Sequence, residues 1–279
     1  MRTLPLLLSA GLLACGGAPK ATKPRPAPNF VADFAAARAQ PQAQITYAIF
    51  ATDPVPTNTQ RAARRALAQV ASALRSPSAD LAAAAKRAGT LPTFTLNFVD
   101  PSELPLNLAV LVQAAGAHGS ALTAAGSVLL LRYQGPARRD DGQVFAAAVA
   151  AATLAKGEAR VVVDLQTLTA HDRAGFIAGL ARPDWLADQA RVEVVRTDDE
   201  TVMLLTRGMA RFALPDLEMA DVDLPEARAE FTRFQETFNA LRVGGQAWLE
   251  GPEGATLGAC SRPTEAFDLA CKSVPRSQK

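Results

Sequence analysis

The sequence predicts an α+β fold: a mixed β-sheet with helices packed mainly on one face, and a candidate division into two lobes. Three observations predict it. Short segments with strand patterning are scattered along the chain. Helical-period segments lie between them in irregular order, and at least one pair of consecutive strands reads as a hairpin.

Gln44 to Ala51 reads as a strand with Ile45, Tyr47 and Ile49 on one face. Thr57 with Gln60 fits a capping box for the helix that follows. In that helix Ala63, Ala66, Leu67, Val70 and Leu74 recur at helical spacing, and Arg61, Arg64 and Arg65 lie together on the other side as a solvated face. A short helix from about Ala79 to Ala88 is expected, capped by Ser78 and stopped by Gly89. Thr93 to Val99 alternates cleanly, with Phe94, Leu96 and Phe98 inward. A helical run follows near Leu104 to Ala115, and Gly116, Gly119 and Gly126 punctuate the passage to the next strand. His118 falls in that passage as a loop residue.

The central region changes rhythm. Val128 to Leu131 is a continuous apolar run within Ser127 to Tyr133, which suits a strand buried on both faces and broken by Pro136. The helix after Asp140-Asp141, ending at Gly157, is apolar almost all round and is expected to be deeply buried. Val161 to Val163 is a second interior strand, ending at Asp164. A helix near Asp172 to Ala181 stops at Pro183. Val192 to Arg196 and Thr201 to Thr206 form a hairpin around Asp198-Asp199. The last long helix starts at Leu224-Pro225, and Ala227, Phe231, Phe234, Phe238 and Leu241 make its apolar stripe.

Near the start of the chain, Arg2 precedes an apolar run from Leu4 that ends in Leu12-Leu13-Ala14-Cys15. The run is about half of the ~20 residues a membrane-spanning helix needs. Its layout is that of an export signal. The Leu-x-x-Cys ending resembles the bacterial lipoprotein signal, which implies lipidation of Cys15 by palmitate and related acyl chains after cleavage of residues 1–14. Gly16 stands after the cysteine, where an Asp is associated with inner-membrane retention, so the resemblance implies the outer membrane of a cell envelope. Residues 15–29 read as the lipidated cysteine and a Pro-rich tether; nothing large and apolar lies in it to offset the entropy of ordering. The expected organisation continues with an N-terminal lobe over 30–120, a second lobe over 121–245 and a tail over 246–279.

Composition narrows the function classes. There are 29 basic and 27 acidic residues, so no electrostatic footprint for nucleic acid exists. Beyond Cys15 the cysteines are Cys260 and Cys271, and an exported chain is expected to pair them as a disulfide. In the chain-entropy model that closure contributes about 3 kcal/mol. With two histidines, His118 and His171, a three-histidine metal site is impossible; no cofactor or metal is expected.

No nucleophile elbow, phosphate-binding glycine loop or zinc-protease helix occurs. The best catalytic constellation is Asp164, His171 and Asp172: an acid closing a buried strand, a base near neutral pH and a second acid. Against it, Asp172 sits where a helix begins and serves there as a cap. The most distinctive segment runs from Gly208 through Met209, Phe212, Leu214 and Asp216 to Leu217. It reads either as a binding edge or as a packed crossover, with Met209 and Phe212 plugging the core. Residues 125–245 resemble an uncharacterised domain family of myxobacterial-type bacteria, through the Gly-Met-x-x-Phe-x-Leu-Pro-Asp-Leu motif and the order of elements before it, including Asp164 and Thr167. The chain departs from that pattern at Arg207 and Ala213, where Leu and Gly are usual, and at Lys156-Gly157-Glu158. The resemblance implies fold and lineage, and no activity.

The expected function is a non-catalytic cell-envelope lipoprotein, held to a membrane through its acyl chains, that binds an envelope protein or other component. The alternatives are an exported hydrolase with an Asp164/His171 site, or an immunity or accessory factor for a secreted toxin.

Overall fold

The computed structural model of the protein describes residues 42–88, 93–104, 106–136, 142–157, 160–214 and 216–244, with short strands at 257–258 and 271–273. Cys15, the tether and Cys260 lie outside these residues, as do the side chain of Cys271 and the side chains of Phe238 and Leu241.

The fold is α+β and contains two sheets. The first has the order β2-β3-β1-β4-β5 and is antiparallel throughout, built from β1 (Gln42–Ala51), β2 (Phe94–Val99), β3 (Ser127–Pro136), β4 (Val161–Asp164) and β5 (Thr169–Asp172). The second has the order β6-β7-β8-β10-β9, built from β6 (Arg191–Arg196), β7 (Thr201–Arg207), β8 (Leu217–Asp223), β9 (Leu257–Gly258) and β10 (Cys271–Ser273). It is mixed, because β8 and β10 run parallel. The expected hairpin is β6–β7, with Arg196 opposite Val202.

The expected division at 120/121 does not coincide with the division between sheets. β1 and β2 come from before it, β3 to β5 from after it, and β1 lies between β3 and β4. The ten-pair register from Gln42↔Pro136 to Ala51↔Ser127 explains why. Both strands are long and apolar, and each buries its two faces only in the middle of a sheet.

The helices are α1 (Thr59–Arg75), α2 (Ala82–Ala88), α3 (Leu108–Ala114), α4 (Gly119–Thr123), α5 (Gly142–Leu154), α6 (Arg173–Ala181) and α7 (Ala227–Gly244). Odd positions of β1, Ile45, Tyr47 and Ile49, meet α1, α2, α5 and α6 in the larger core cluster. Even positions Ala48 and Phe50 meet Leu104, Leu111 and Leu122 in a second cluster, so the short α3 and α4 close the other face. The larger helices therefore share one face, but the opposite face is covered too. α5 is buried on nearly every side, because its alanines let it sit close between the sheet, α1 and α2. Phe234 brings α7 into the larger cluster.

Two expected caps change. Asn58, rather than Thr57, caps α1: its Oδ1 accepts the Arg61 N–H at 2.9 Å. Ser78 does not cap a helix at Ala79; its carbonyl accepts the Leu81 N–H in a turn, its hydroxyl donates to Asp80, and α2 begins at Ala82.

Candidate functional site

Asp164 ends β4 and begins the turn into β5. Its Oδ1 accepts the N–H groups of Gln166 at 2.9 Å and Thr167 at 3.2 Å, which fixes a turn whose last residue, Leu168, takes a left-handed φ of 54°. The carboxylate's other partner comes from 47 residues along the chain. Arg211 Nη2 donates to Asp164 Oδ1 at 2.8 Å and Oδ2 at 2.6 Å. Arg211 is fully buried and Asp164 is 5% exposed.

Amides complete the cluster. Arg211 Nη1 donates to Gln189 Oε1 at 2.6 Å and Nη2 to Gln166 Oε1 at 3.2 Å. The Tyr47 hydroxyl donates to the same Gln189 oxygen at 3.3 Å, and Gln143 Nε2 donates to the Arg211 carbonyl at 3.4 Å. Burial pushes the Tyr47 phenol far above its ordinary range, so it acts as a neutral donor. Burial also opposes the Arg211 charge, but the Asp164 carboxylate beside it outweighs that and holds the guanidinium above its usual value.

Arg211 is aimed by the 3₁₀ turn Met209–Phe212, entered through Gly208 at φ 93° and left through Ala213 at φ 55°. A second polar latch closes the same loop. Asp216 Oδ1 accepts from the Thr206 hydroxyl at 2.9 Å and the Met209 N–H at 3.3 Å, while the Leu217 N–H donates to Thr206 Oγ1 at 2.8 Å. Met209, Phe212 and Leu214 are buried in the core, and none of Gly208, Met209, Phe212, Leu214 and Asp216 lines either of the two clefts described below. The segment expected as a possible binding edge is a packed crossover, the other reading of its sequence. Pro215 lies outside the described residues.

A cleft of about 540 Å³ adjoins the buried pair. Asp164 and His171 share its wall because the β4–β5 register sets Asp164 opposite Thr169 and Val162 opposite His171, two residues apart on one face. Phe176, Trp185, Phe231, Gln189 and Gln235 also line it, and Arg182 is ion-paired with Asp188 at its edge. Asp172 is elsewhere engaged: its Oδ1 accepts the Gly175 N–H at 2.6 Å as the cap of α6. The structure thus brings together Asp164 and His171, and sets Asp172 apart.

His171 is half-buried against Phe176, with ring centroids 6.1 Å apart. Burial lowers its pKa, and His118, in the 3₁₀ turn Gly116–His118 that packs on β5, lowers it further. The two histidines, distant in sequence, are therefore neighbours in charge. The folded pKa lies below the unfolded value of about 6.5, so the unfolded chain binds more protons and stability rises with pH through that range. His171→Gln is expected to flatten the fall in thermal midpoint between neutral pH and about 5, read by melting the two proteins across a pH series.

A larger cleft of about 880 Å³ lies elsewhere, lined by α1, the segment after β1 and the end of α5. Among the described residues no group of three or more His, Cys, Asp or Glu side chains is placed to hold a metal ion. No described helix is long and apolar enough to cross a membrane.

Tyr47, Gln166, Gln189 and Arg211 were not evident as site residues from sequence. Arg211 left one signal: a single cation inside Met-Ala-Arg-Phe-Ala-Leu, where burial demands a counter-charge. Compared with known proteins, the chain matches no family model, no curated protein and no solved structure.

Proposed function

We propose that the chain is a lipid-anchored binding module of a bacterial cell envelope. Acyl chains on Cys15 hold it to the membrane, residues 15–29 space it from the surface, and the α+β body contacts an envelope protein or other component. Each buried methylene of an acyl chain contributes about 0.8 kcal/mol, so several chains anchor stably where one does not. A Cys260–Cys271 disulfide belongs to the same exported design.

The observation that carries the reading against a hydrolase is the engagement of Asp164. Its two oxygens already receive Arg211 and two backbone N–H groups, and Asp172 caps a helix. His171 therefore faces the cleft beside carboxylates held for structural work, among aromatic and amide groups suited to contact. The hydrolase alternative rests on Asp164 and His171 sharing that wall. It requires that His171→Ala abolish turnover of a substrate.

Metabolic labelling with a palmitate analogue tests the anchor. The full chain is expected to take label and to fractionate with membranes. Cys15→Ser is expected to lose both. Unlabelled protein that still sediments with membranes in the Cys15→Ser variant contradicts the reading. A photo-crosslinker at exposed Gln235 tests the body: one reproducible partner, lost when Phe231→Lys charges the cleft, is the expected result.

A further inference from the structure

The three arginines of α1 are all exposed, as a solvated face requires, and one of them also reaches a cleft. Arg65 lines the larger cleft, while Arg61 and Arg64 do not. The side of α1 that lines the cleft carries Arg65, Gln69 and Ser72 at helical spacing together with Ala62, Ala66 and Ala73, and Ser76, which caps the C-terminus of the helix, follows them. Arg65, Gln69, Ser72 and Ser76 are the polar and exposed part of this lining, while Ala66 is buried in the core.

Away from α1 the cleft is lined by the cations Lys156, Arg160 and Arg173 and by the carboxylates of Asp53 and Asp80. Both carboxylates are already paired: Asp53 with Arg160 at 3.7 Å, and Asp80 with Arg173 at 3.1 Å. Arg160 and Arg173 also answer the carbonyls at the end of α5, donating to Leu154 at 2.7 Å and Ala152 at 3.0 Å. These two arginines are engaged; Arg65 and Lys156 are not. Among the described residues their side chains hold no hydrogen bond or ion pair, and the same is true of the Gln69, Ser72 and Ser76 side chains. Phe98, Leu81, Pro54 and Pro56 supply an apolar lining. A cleft of about 880 Å³ falls within the usual size range of ligand sites.

Two unpaired cations, one amide and two hydroxyls lining one cleft make a recognition set. We infer that this cleft binds a hydroxylated organic anion, its carboxylate or phosphate on Arg65 and Lys156 and its hydroxyls on Gln69, Ser72 and Ser76. The inference deepens the binding-module reading and rests on it for the site's use, while its chemistry is independent of the anchor at Cys15.

The test is titration calorimetry on the purified full chain in a neutral polyoxyethylene detergent. The probes are glucuronate, glycerol phosphate, glucose and inorganic phosphate. Glucuronate and glycerol phosphate are expected to bind at least about tenfold tighter than glucose, as charge-assisted hydrogen bonds require. Which of the two binds tighter identifies the carboxylate or the phosphate source. Both are expected to bind more tightly than inorganic phosphate and to weaken with salt. Arg65→Gln with Lys156→Gln is expected to lose about tenfold or more, and Ser72→Ala with Ser76→Ala a few-fold. All four positions lie on the surface or at its edge, and unchanged melting of the variants confirms that folding is intact.

Equal binding of glucose, no loss in the Arg65/Lys156 variant, or no heat with any probe overturns the inference. Inorganic phosphate binding as tightly as glycerol phosphate, with the serine variant unaffected, overturns its hydroxyl part. A chain that binds glucuronate but takes no palmitate refutes the anchor alone. One labelled at Cys15 that binds none of the probes refutes this cleft alone.

Discussion

Arg211→Met is expected to lower the unfolding free energy by about 3 kcal/mol, toward the low end of the range for breaking a buried ion pair. Methionine fills a similar length of core, so lost packing is the smaller effect. The larger one is the Asp164 carboxylate, left 5% exposed with no cation beside it. Two backbone N–H groups, from Gln166 and Thr167, still reach that carboxylate, and it lines the smaller cleft. Those two facts keep the cost from the upper end. For a domain whose whole stability is about 5–15 kcal/mol, the loss is readily measured in urea. The loss is expected to be accompanied by loosening of the Gln189 and Gln166 side chains, since both accept from Arg211.

Gly208→Ala is expected to cost as much or more. The residue sits at φ 93°, outside what L side chains readily adopt. A Cβ there would lie 2.6 Å from the Gln189 carbonyl oxygen and 2.9 Å from Thr167 Cγ2. Neither neighbour gives way easily. Gln189 ends the 3₁₀ turn Trp185–Gln189 and its side chain receives Arg211, while Thr167 belongs to the turn built on Asp164. Backbone strain of about 1–3 kcal/mol and overpacking of similar size add here. Gly179→Ala is the matched control, since it lies within α6 with nothing within 4 Å of its Cβ. It is expected to stabilise by roughly 0.5–1 kcal/mol, because Gly is the poorer helix former. Thermal melts of the pair separate the two cases.

The strands that sequence made legible are those whose burial follows a simple period. In β2, Phe94 and Leu96 go in while Thr95 and Asn97 go out, and the interior β3 and β4 are apolar on both faces. β5 was missed because Thr-Ala-His-Asp is a four-residue edge strand with no apolar alternation. β8 was missed for a different reason. Leu217 and Met219 keep a period of two, but a bulge opposite Val202–Leu204, with Asp221 at φ 53°, shifts the phase so that Val222 is the next inward residue. The lobe boundary misled because glycines mark a turn without saying which strands pair across it.

The site was half legible. Asp164 stood out as an acid closing a buried strand, and the Gly208–Leu217 segment stood out by composition. That the two meet through Arg211 was not legible, because the contact joins residues 47 apart through a turn whose two ends both take positive φ. The helix-cap reading of Asp172 held, since a cap is local and its geometry is written in adjacent residues.

Asp164 serves Arg211 and thereby the fold. A double-mutant cycle with Asp164→Asn and Arg211→Met measures this dependence, with unfolding free energies taken in urea for all four proteins. The expected result is a coupling energy of about 2–3 kcal/mol, with the double variant far less damaged than the two single losses summed, since removing both charges leaves neither buried alone. Additive losses, with coupling below about 0.5 kcal/mol, would contradict the claim and return Asp164 to the cleft and to His171.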